Sequence, residues 1–324
     1  MRLHRALSIL LVLLPILPAQ SQTAPSTYPA RPLTLVVGYA AGTGIDTTTR
    51  FYAERLRELT GQAVTIVNKA GANGNLAAMD AVRAAADGYT VLVTPNGTIT
   101  TNLHLMKKMP FDAAAELTPV ATIARWGAVL LVNPRALQAT SVAELTAHLK
   151  GQAGKLNFAS GNFTGHAAAE LYKARAGVSA VHVPYKSVPA ALNDLLGGQI
   201  DFMFADVVTG LPQVQAGRLR ALAVTTPKRL ANAPTVPTMM EAGVPDYELV
   251  NWFGVFLPAR APEAVVRRLA ELFDTITASA AAREYYARVG GEAFASPTDS
   301  MRQLIERDTQ SWGRLVKAAG IEPE

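Results

Sequence analysis

The chain has 324 residues, 49% hydrophobic and 17% charged, with no cysteine and a formal charge of +5. That length corresponds to about two domains, and so large an apolar share excludes a disordered chain. Zero cysteines exclude a disulfide scaffold, a thiol nucleophile, a thiolate metal site and a cysteine-linked lipid anchor. At the N-terminus Arg2, His4 and Arg5 precede an apolar run from Ala6 to Leu17, and Ala19-Gln20-Ser21 has the small-residue spacing of a cleavage site. Residues 1–21 therefore read as a secretory signal peptide. The run is too short to span a bilayer comfortably, which takes about 20 apolar residues. No later stretch matches its apolarity, so the mature protein is expected to be soluble and exported. Losing Arg2 and Arg5 lowers the formal charge to +3. The remaining basic residues are scattered, apart from pairs such as Lys107-Lys108 and Arg267-Arg268, which argues against a nucleic-acid partner.

The mature part opens on Tyr28-Pro29-Ala30-Arg31-Pro32, extended because proline biases its neighbour away from helix. Leu33 to Val37 is a short apolar run ending at Gly38, the pattern of a buried strand. The loop from Gly38 to Gly44 leads into a helix from about Asp46 to Leu59, closed by Gly61. Val64 to Val67 is a second strand, followed by a Gly- and Asn-rich loop from Asn68 to Asn75 and a helix to about Ala85. After the Asp87-Gly88 turn, Thr90 to Val93 is a third strand. Strands alternating with helices predict a parallel sheet flanked by helices.

The middle repeats that grammar. Ser141 and Glu144 form a capping box for a helix ending near Lys150-Gly151. The strand Leu156–Ala159 runs into Ser160-Gly161-Asn162-Phe163-Thr164-Gly165 and a helix from about His166. Val181–Val183 is a strand, Ala190–Leu196 a helix stopped by Gly197-Gly198, and Ile200–Phe204 and Leu219–Val224 are further strands. The C-terminal part is mainly helical, with Pro262 at one helix start, and Ser296-Pro297 with Asp299 opening a last helix that stops at Gly320. Two apolar stretches are candidate crossings between domains: Val120 to Val132, broken by Arg125-Trp126-Gly127, and Leu249 to Leu257. Two crossings make the first domain discontinuous and the second an insertion.

Catalytic signatures are missing: there is no G-x-S-x-G elbow, S-x-x-K, H-E-x-x-H or Walker loop. The mature histidines, His104, His148, His166 and His182, form no pair at ligand spacing, so no metal is expected. Gly42-Thr43-Gly44 lacks the third glycine of a dinucleotide fingerprint, and no cofactor is expected. What remains is a set of small-residue loops between strand ends and helix starts: Tyr39 to Asp46, Thr94 to Thr98 and Ser160 to Thr164. In a parallel α/β sheet such loops lie at the carboxyl ends of strands, where ligands bind. Their glycines let backbone approach a ligand, and free N–H groups at helix starts favour an anion. Each loop taken alone is also ordinary turn chemistry, with Asp46 a helix cap, His166 a first-turn surface residue, and Tyr39, Phe163 and Trp252 core. Ser160 with His166 is the one local pair for a hydrolase, the alternative reading, although six residues across a loop-to-helix junction suit a dyad poorly.

Several stretches in order carry a family resemblance: Tyr28-Pro29-Ala30-Arg31-Pro32, the Gly42-to-Asp46 loop, Ala70-Gly71-Ala72-Asn73-Gly74-Asn75 and Ala86-Asp87-Gly88-Tyr89-Thr90. His182 to Phe204 is the strongest, and Ala233-Pro234-Thr235-Val236-Pro237-Thr238 with Glu241, Ala242 and Gly243 adds to it. From about Tyr28 to Gly320 the chain resembles the extracytoplasmic solute receptors of tripartite tricarboxylate transporters, the Bug family. The resemblance implies an α/β fold of the two-domain periplasmic-binding-protein, Venus flytrap type (type II-like), each domain a mainly parallel sheet flanked by helices. Domain 1 would comprise residues 22–125 plus 253–324, and domain 2 residues 126–252.

It further implies a periplasmic receptor, not an enzyme, that captures an organic carboxylate in the interdomain cleft: a dicarboxylate, an aromatic carboxylate or an acidic amino acid. The receptor would act as a monomer and deliver its ligand to permease subunits of such a transporter or to a sensor domain. The carboxylate would be gripped mainly by backbone N–H groups and water. By position the implied contacts are Tyr39, Ala41, Gly42, Thr43, Asp46, Asn75, Thr94 and Asn96 from the first domain. Ser160, Gly161, Asn162, Thr164, His166, Tyr185 and Asp206 come from the second. Tyr39, Phe163 and Trp252 would supply walls, and Asp206, with Asp46 second, is the candidate for a ligand amine. Two positions depart from the family pattern, Thr43 and Ser187, each where glycine is usual. Thr43 adds a side chain beside the carboxylate grip.

Overall fold

The computed structural model describes residues 28–296, 298–318 and 321–323. The expected signal peptide, Pro297 and the expected stop at Gly320 lie outside them. The apolar run at the start forms β1 (Leu33–Val37), followed by α1 (Gly44–Thr60), β2 (Val64–Asn68), α2 (Asn75–Arg83) and β3 (Thr90–Pro95). Three one-turn helices, α3 (Asn96–Ile99), α4 (Asn102–Leu105) and α5 (Ala113–Glu116), lead to the long strand β4 (Leu117–Trp126). A single residue, Gly127, separates β4 from β5 (Ala128–Val132). Then come α6 (Val142–Gly151), β6 (Asn157–Ser160), α7 (Phe163–Ala176), β7 (Val181–Pro184), α8 (Val188–Leu196), β8 (Phe202–Asp206), α9 (Val207–Gln215) and β9 (Arg220–Val224). The chain returns through β10 (Asn251–Pro258) and ends in α10 (Glu263–Thr277), α11 (Ala280–Val289), β11 (Glu292–Ala293) and α12 (Thr298–Ala318).

The strands form two sheets, ordered β11-β4-β10-β3-β1-β2 and β7-β6-β8-β5-β9. Each was expected to be mainly parallel, and each is mixed. The β-α-β units pair parallel, as β1 with β2 and β3 and as β6 with β7 and β8. The strands that carry the chain between sheets enter antiparallel: β10 against β3 and β4, and β5 against β8 and β9. A strand arriving from the other lobe has no crossover helix to reverse it, which is why helix alternation alone overstated the parallel content.

Strand parity builds the cores. In β5, Val129 and Leu131 face the core that runs between the sheets, whereas Ala128, Leu130 and Val132 face the outer core of the second lobe. In β10, Phe253, Val255 and Leu257 face the inner core, and Trp252 and Phe256 an outer core shared with Met301 and Leu304 of α12. Both faces of the central strands are therefore buried and these strands read as continuous apolar runs, whereas the edge strands β2 and β7 stay partly exposed. Trp312, near the other end of α12, packs in the second lobe's outer core, so this one helix lies on both lobes.

Where boundaries differ from expectation, side-chain caps explain the shift. The helix expected from His166 begins at Phe163, because the Asn162 side chain accepts the Gly165 N–H at 2.8 Å. The helix expected from Ala190 begins at Val188, with Ser187 as its cap and Pro189 in its first turn. Ser141 caps α6 as the sequence indicates. The two crossings run side by side at Thr225, buried at 0% exposure. Its backbone pairs with the Ala128 carbonyl, and its hydroxyl accepts the Ala128 N–H at 2.8 Å and donates to the Leu249 carbonyl at 2.7 Å.

Candidate functional site

A cavity of about 490 Å³ lies between the two sheets. The first lobe contributes the turn after β1, the loop between β2 and α2, and Pro95; the second contributes the loops after β6, β7 and β8. Trp126, Gly127 and Ala128 with Asn251 and Phe253, the crossing segments, form its floor.

The start of α1 enters this cavity without a side-chain cap. Thr43 occupies the N-cap position but caps nothing, because its hydroxyl donates to the Ala40 carbonyl at 2.8 Å. The first intrahelical bond is made by the Thr47 N–H, so the N–H groups of Gly44, Ile45 and Asp46 meet no acceptor among the described residues. The start of α1 is held by Asp46, which is 2% exposed. Its carboxylate accepts from the Gly42 N–H at 2.9 Å, from Arg50 twice at 3.0 Å, and from Asn68 at 2.9 Å. Burial alone would raise the Asp46 carboxyl, but the Arg50, Gly42 and Asn68 bonds together hold it below its ordinary range. Asn68 also donates to the Tyr39 carbonyl at 3.0 Å, and Gly42 takes the left-handed φ of 81° that the turn requires.

Across the cavity, three helix starts are already capped. Asn162 caps α7, Ser187 caps α8, and Asp206 caps α9 by accepting the Thr209 N–H at 2.9 Å. The Thr209 hydroxyl bonds the same carboxylate, yet burial outweighs these bonds and raises the Asp206 carboxyl above its ordinary range. Asp206 faces the start of α1 directly: a Cβ added at Gly44 would stand 2.6 Å from its Oδ1. The loop after β7 is packed onto the loop after β6 so closely that a Cβ at Gly161 would lie 2.2 Å from the Val188 nitrogen. Tyr185 fixes the same loop, its N–H donating to the Ser160 carbonyl at 2.8 Å and its hydroxyl to Asp194 at 2.7 Å. The bond to Asp194 raises the Tyr185 hydroxyl to about 12.

Of the residues singled out from sequence, Tyr39, Thr43, Gly161, Asn162, Thr164, Tyr185 and Asp206 line the cavity. Ala41 and Gly42 sit exposed on the turn beside it, and Asp46 lies behind that turn as its clamp. Asn75, Thr94 and Asn96 are buried beneath the first lobe's loops. There Thr94 bonds Thr98 at 2.9 Å, and Thr98 and Tyr39 donate to the Asn73 carbonyl at 3.1 and 3.2 Å. Burial raises the Tyr39 hydroxyl to about 12. Phe163 is not part of the lining. Trp252 points to the outer core, where its indole N–H donates to Asp308 at 2.5 Å, and Phe253, of opposite strand parity, faces the cavity.

Ser160 and His166 do not form the pair weighed for a hydrolase. The Ser160 hydroxyl lies 2.7 Å from Nε2 of His182, and His166 stacks on the His182 ring with centroids 3.9 Å apart. Phe158 packs against both rings, its centroid 4.9 Å from that of His182 and 6.1 Å from that of His166. Burial first, then the His166 and Lys173 charges, lowers the His182 imidazole to about 4, so it is neutral near pH 7. Neither Ser160 nor His166 lines the cavity. Lining residues the sequence did not single out include Asn73, Trp126, Lys186, Asn251 and Phe253. For Phe253 the available signal was parity within the second crossing. Among the described residues no group of three His, Cys, Asp or Glu side chains is placed to hold a metal, and no helix is long and apolar enough to cross a membrane.

Residues 48–321 match the family described as the tripartite tricarboxylate transporter family receptor. Protein BugT of Bordetella pertussis is 30% identical over 326 residues, covering 99% of each chain. The structure of R. palustris Rpa4515 with adipate superposes with a TM-score of 0.89 at 34% identity, covering 92% of this chain and 100% of that one. MatC from Rhodopseudomonas palustris with bound malate superposes at 0.83 with 27% identity, over 89% of this chain and 100% of that one.

Proposed function

Since the chain belongs to the receptor family of tripartite tricarboxylate transporters, whose members are solute-binding proteins rather than enzymes, we propose that it captures an organic carboxylate in this cavity, with the carboxylate seated on the start of α1. The observation that carries the reading is the unfilled N-terminus of α1. The N–H groups of Gly44 and Ile45, in the cavity lining, and of Asp46 behind them meet no acceptor among the described residues, because Thr43 spends its hydroxyl on Ala40. A carboxylate there gains charge-assisted hydrogen bonds, each worth roughly 1.5–3 kcal/mol, and the favourable end of a 17-residue helix. Adipate and malate in two structural neighbours support the ligand class.

The ligand would touch α1 from one lobe and the capped loops of the other, and so favour the closed arrangement by its differential affinity. Residues 22–125 with 253–324 would move as one body and 126–252 as the other, about the segments at Gly127 and Asn251. With residues 1–21 acting as an export signal, the receptor would work in the periplasm as a monomer and hand its ligand to transporter permease subunits or to a sensor. Isothermal titration of the mature protein, unfolded and refolded to strip carried-over ligand, tests the reading with dicarboxylates, tricarboxylates, acidic amino acids and aromatic carboxylates. Saturable binding of a carboxylate that the corresponding amide lacks supports it; silence across the panel, or equal binding of the amides, overturns it.

A further inference from the structure

Behind the turn from Ser160 to Gly165 lie two imidazoles that touch no part of the cavity lining's polar surface yet hold the elements that form it. In β7, Val183 turns to the core between the sheets, and His182 turns to α7. There its ring stacks on His166, with centroids 3.9 Å apart and planes 11° from parallel. Its Nε2 lies 2.7 Å from the Ser160 hydroxyl. The charged groups that act on His182 come from α7, namely His166 when protonated, Glu170 and Lys173. Glu170 accepts from Lys173 at 2.7 Å and lies 3.7 Å from His166 Nε2, and Lys173 Nζ stands 5.2 Å from the Phe158 ring centroid. From β6, Phe158 and Ser160 meet His182, and Asp201, just before β8, accepts the Asn157 N–H at 2.7 Å.

One wall of the cavity departs from this cluster. Ser160 is followed by Gly161, Asn162, Thr164 and Gly165, all in the lining, and its carbonyl accepts the Tyr185 N–H at 2.8 Å. The bond to His182 fixes the strand end from which that wall starts, and the stack on His166 fixes the first turn of α7, which continues it. The stack has room for one proton and not for two. An imidazolium at His166 has Glu170 beside it; a second at His182 would face that cation across 3.9 Å, with the carboxylate already shared with Lys173.

We propose that neutral His182 is a positioning residue of the receptor, holding the Ser160–Gly165 wall through the Ser160 hydroxyl, and that its protonation parts α7 from β7 and loosens the grip on the ligand. The inference rests on a carboxylate binding in this cavity. In the arrangement seen, burial and the neighbouring charges keep the imidazole at about 4 against an ordinary 6.5, so each pH unit below 6.5 favours the parted arrangement by up to about tenfold.

Calorimetric titration with adipate between about pH 8 and pH 5 tests it in the mature protein, His182→Gln and His182→Phe; comparison with wild type at each pH cancels the titration of the ligand itself. Over that range wild type should lose about tenfold in affinity relative to His182→Gln, whose amide can bond Ser160 but takes no proton. His182→Phe, which stacks but offers Ser160 no partner, should bind more weakly than wild type at about pH 8. Ser160→Ala removes the same bond from its other end and keeps the test open if the histidine variants do not fold. It should weaken adipate at about pH 8 as well, and the double variant with His182→Phe should be no weaker than either single one. Parallel pH profiles in wild type and His182→Gln overturn the proposal, as does full affinity in Ser160→Ala. If wild type binds adipate with such parallel profiles, only the role of His182 fails; if no carboxylate binds wild type at any pH, the carboxylate reading fails with it.

Discussion

Asp46 illustrates how a residue near a ligand can matter without touching it. Considered from sequence alone, it was a helix cap or a partner for a ligand amine; in the structure its four accepted bonds use both oxygens and leave nothing to offer a ligand. Its role is to hold the turn from Tyr39 to Thr43 in register with β2. Asp46→Ala should lower stability by about 2 kcal/mol, from lost bonds to a charged acceptor, and weaken carboxylate binding, both read by melting and titration. Because its folded pKa is depressed, the stability it contributes is full above the ordinary value of 3.8 and is lost as pH falls through the folded value. His182 acts in the opposite direction chemically but with the same sign in pH. Its imidazole is neutral in the fold down to about 4, while the unfolded chain takes up the proton near 6.5. Stability therefore drains as pH falls from about 6.5 to 4, and His182→Gln should flatten that part of the melting-temperature profile. An unchanged slope would show that the proton is taken up elsewhere.

At the scale of elements, a helix start left open by its own cap residue is what a receptor for anions needs. Filling it should exchange function for stability. Thr43→Asp places a carboxylate where the ligand's would sit, and a working N-cap is worth about 1 kcal/mol. The variant should melt higher than wild type without ligand and bind no carboxylate; higher stability with binding intact would remove α1 from the site. Elements of this kind were legible because they are local. The runs at Leu33 and Val64, the Ser141–Glu144 box and the small-residue turns each declare themselves within a few residues. What was not legible depends on the assembled sheets. Whether Trp252 or Phe253 faces the cleft is set by which side of β10 the second lobe occupies. Ser160 meets His182, 22 positions away, because β6 and β7 pair in parallel.

The whole molecule is two lobes joined at the cavity floor, so the proposed closure and the proposed binding would share the same residues. Gly44 is where they meet: the first residue of α1 lies against Asp206 of the other lobe. Gly44→Ala improves helix propensity, yet its Cβ would stand 2.6 Å from Asp206 Oδ1 and 3.2 Å from its Cγ, with Thr209 holding that carboxylate in place. The variant should keep or raise the melting temperature of the ligand-free protein and bind carboxylates about tenfold more weakly, since the lobes no longer reach this arrangement. A parallel fall in stability would mean that the cost lies within a lobe. The two crossings are short and laced by Thr225, and α12 packs on both lobes.

The chain has three tryptophans, and the fold gives them unequal surroundings. Trp126 lies in the cavity floor with its indole N–H buried and without an acceptor among the described residues, Trp252 is bonded to Asp308, and Trp312 is packed beneath the second lobe. Only one of the three indoles therefore lines the cavity, so a ligand bound there would make occupancy an optical quantity. Intrinsic emission should change on titration with adipate, and a chain carrying Trp252→Phe and Trp312→Phe should retain the full change over a darker background. The protein can then be followed without a dye or a fused reporter, in a periplasmic extract as readily as in a cuvette.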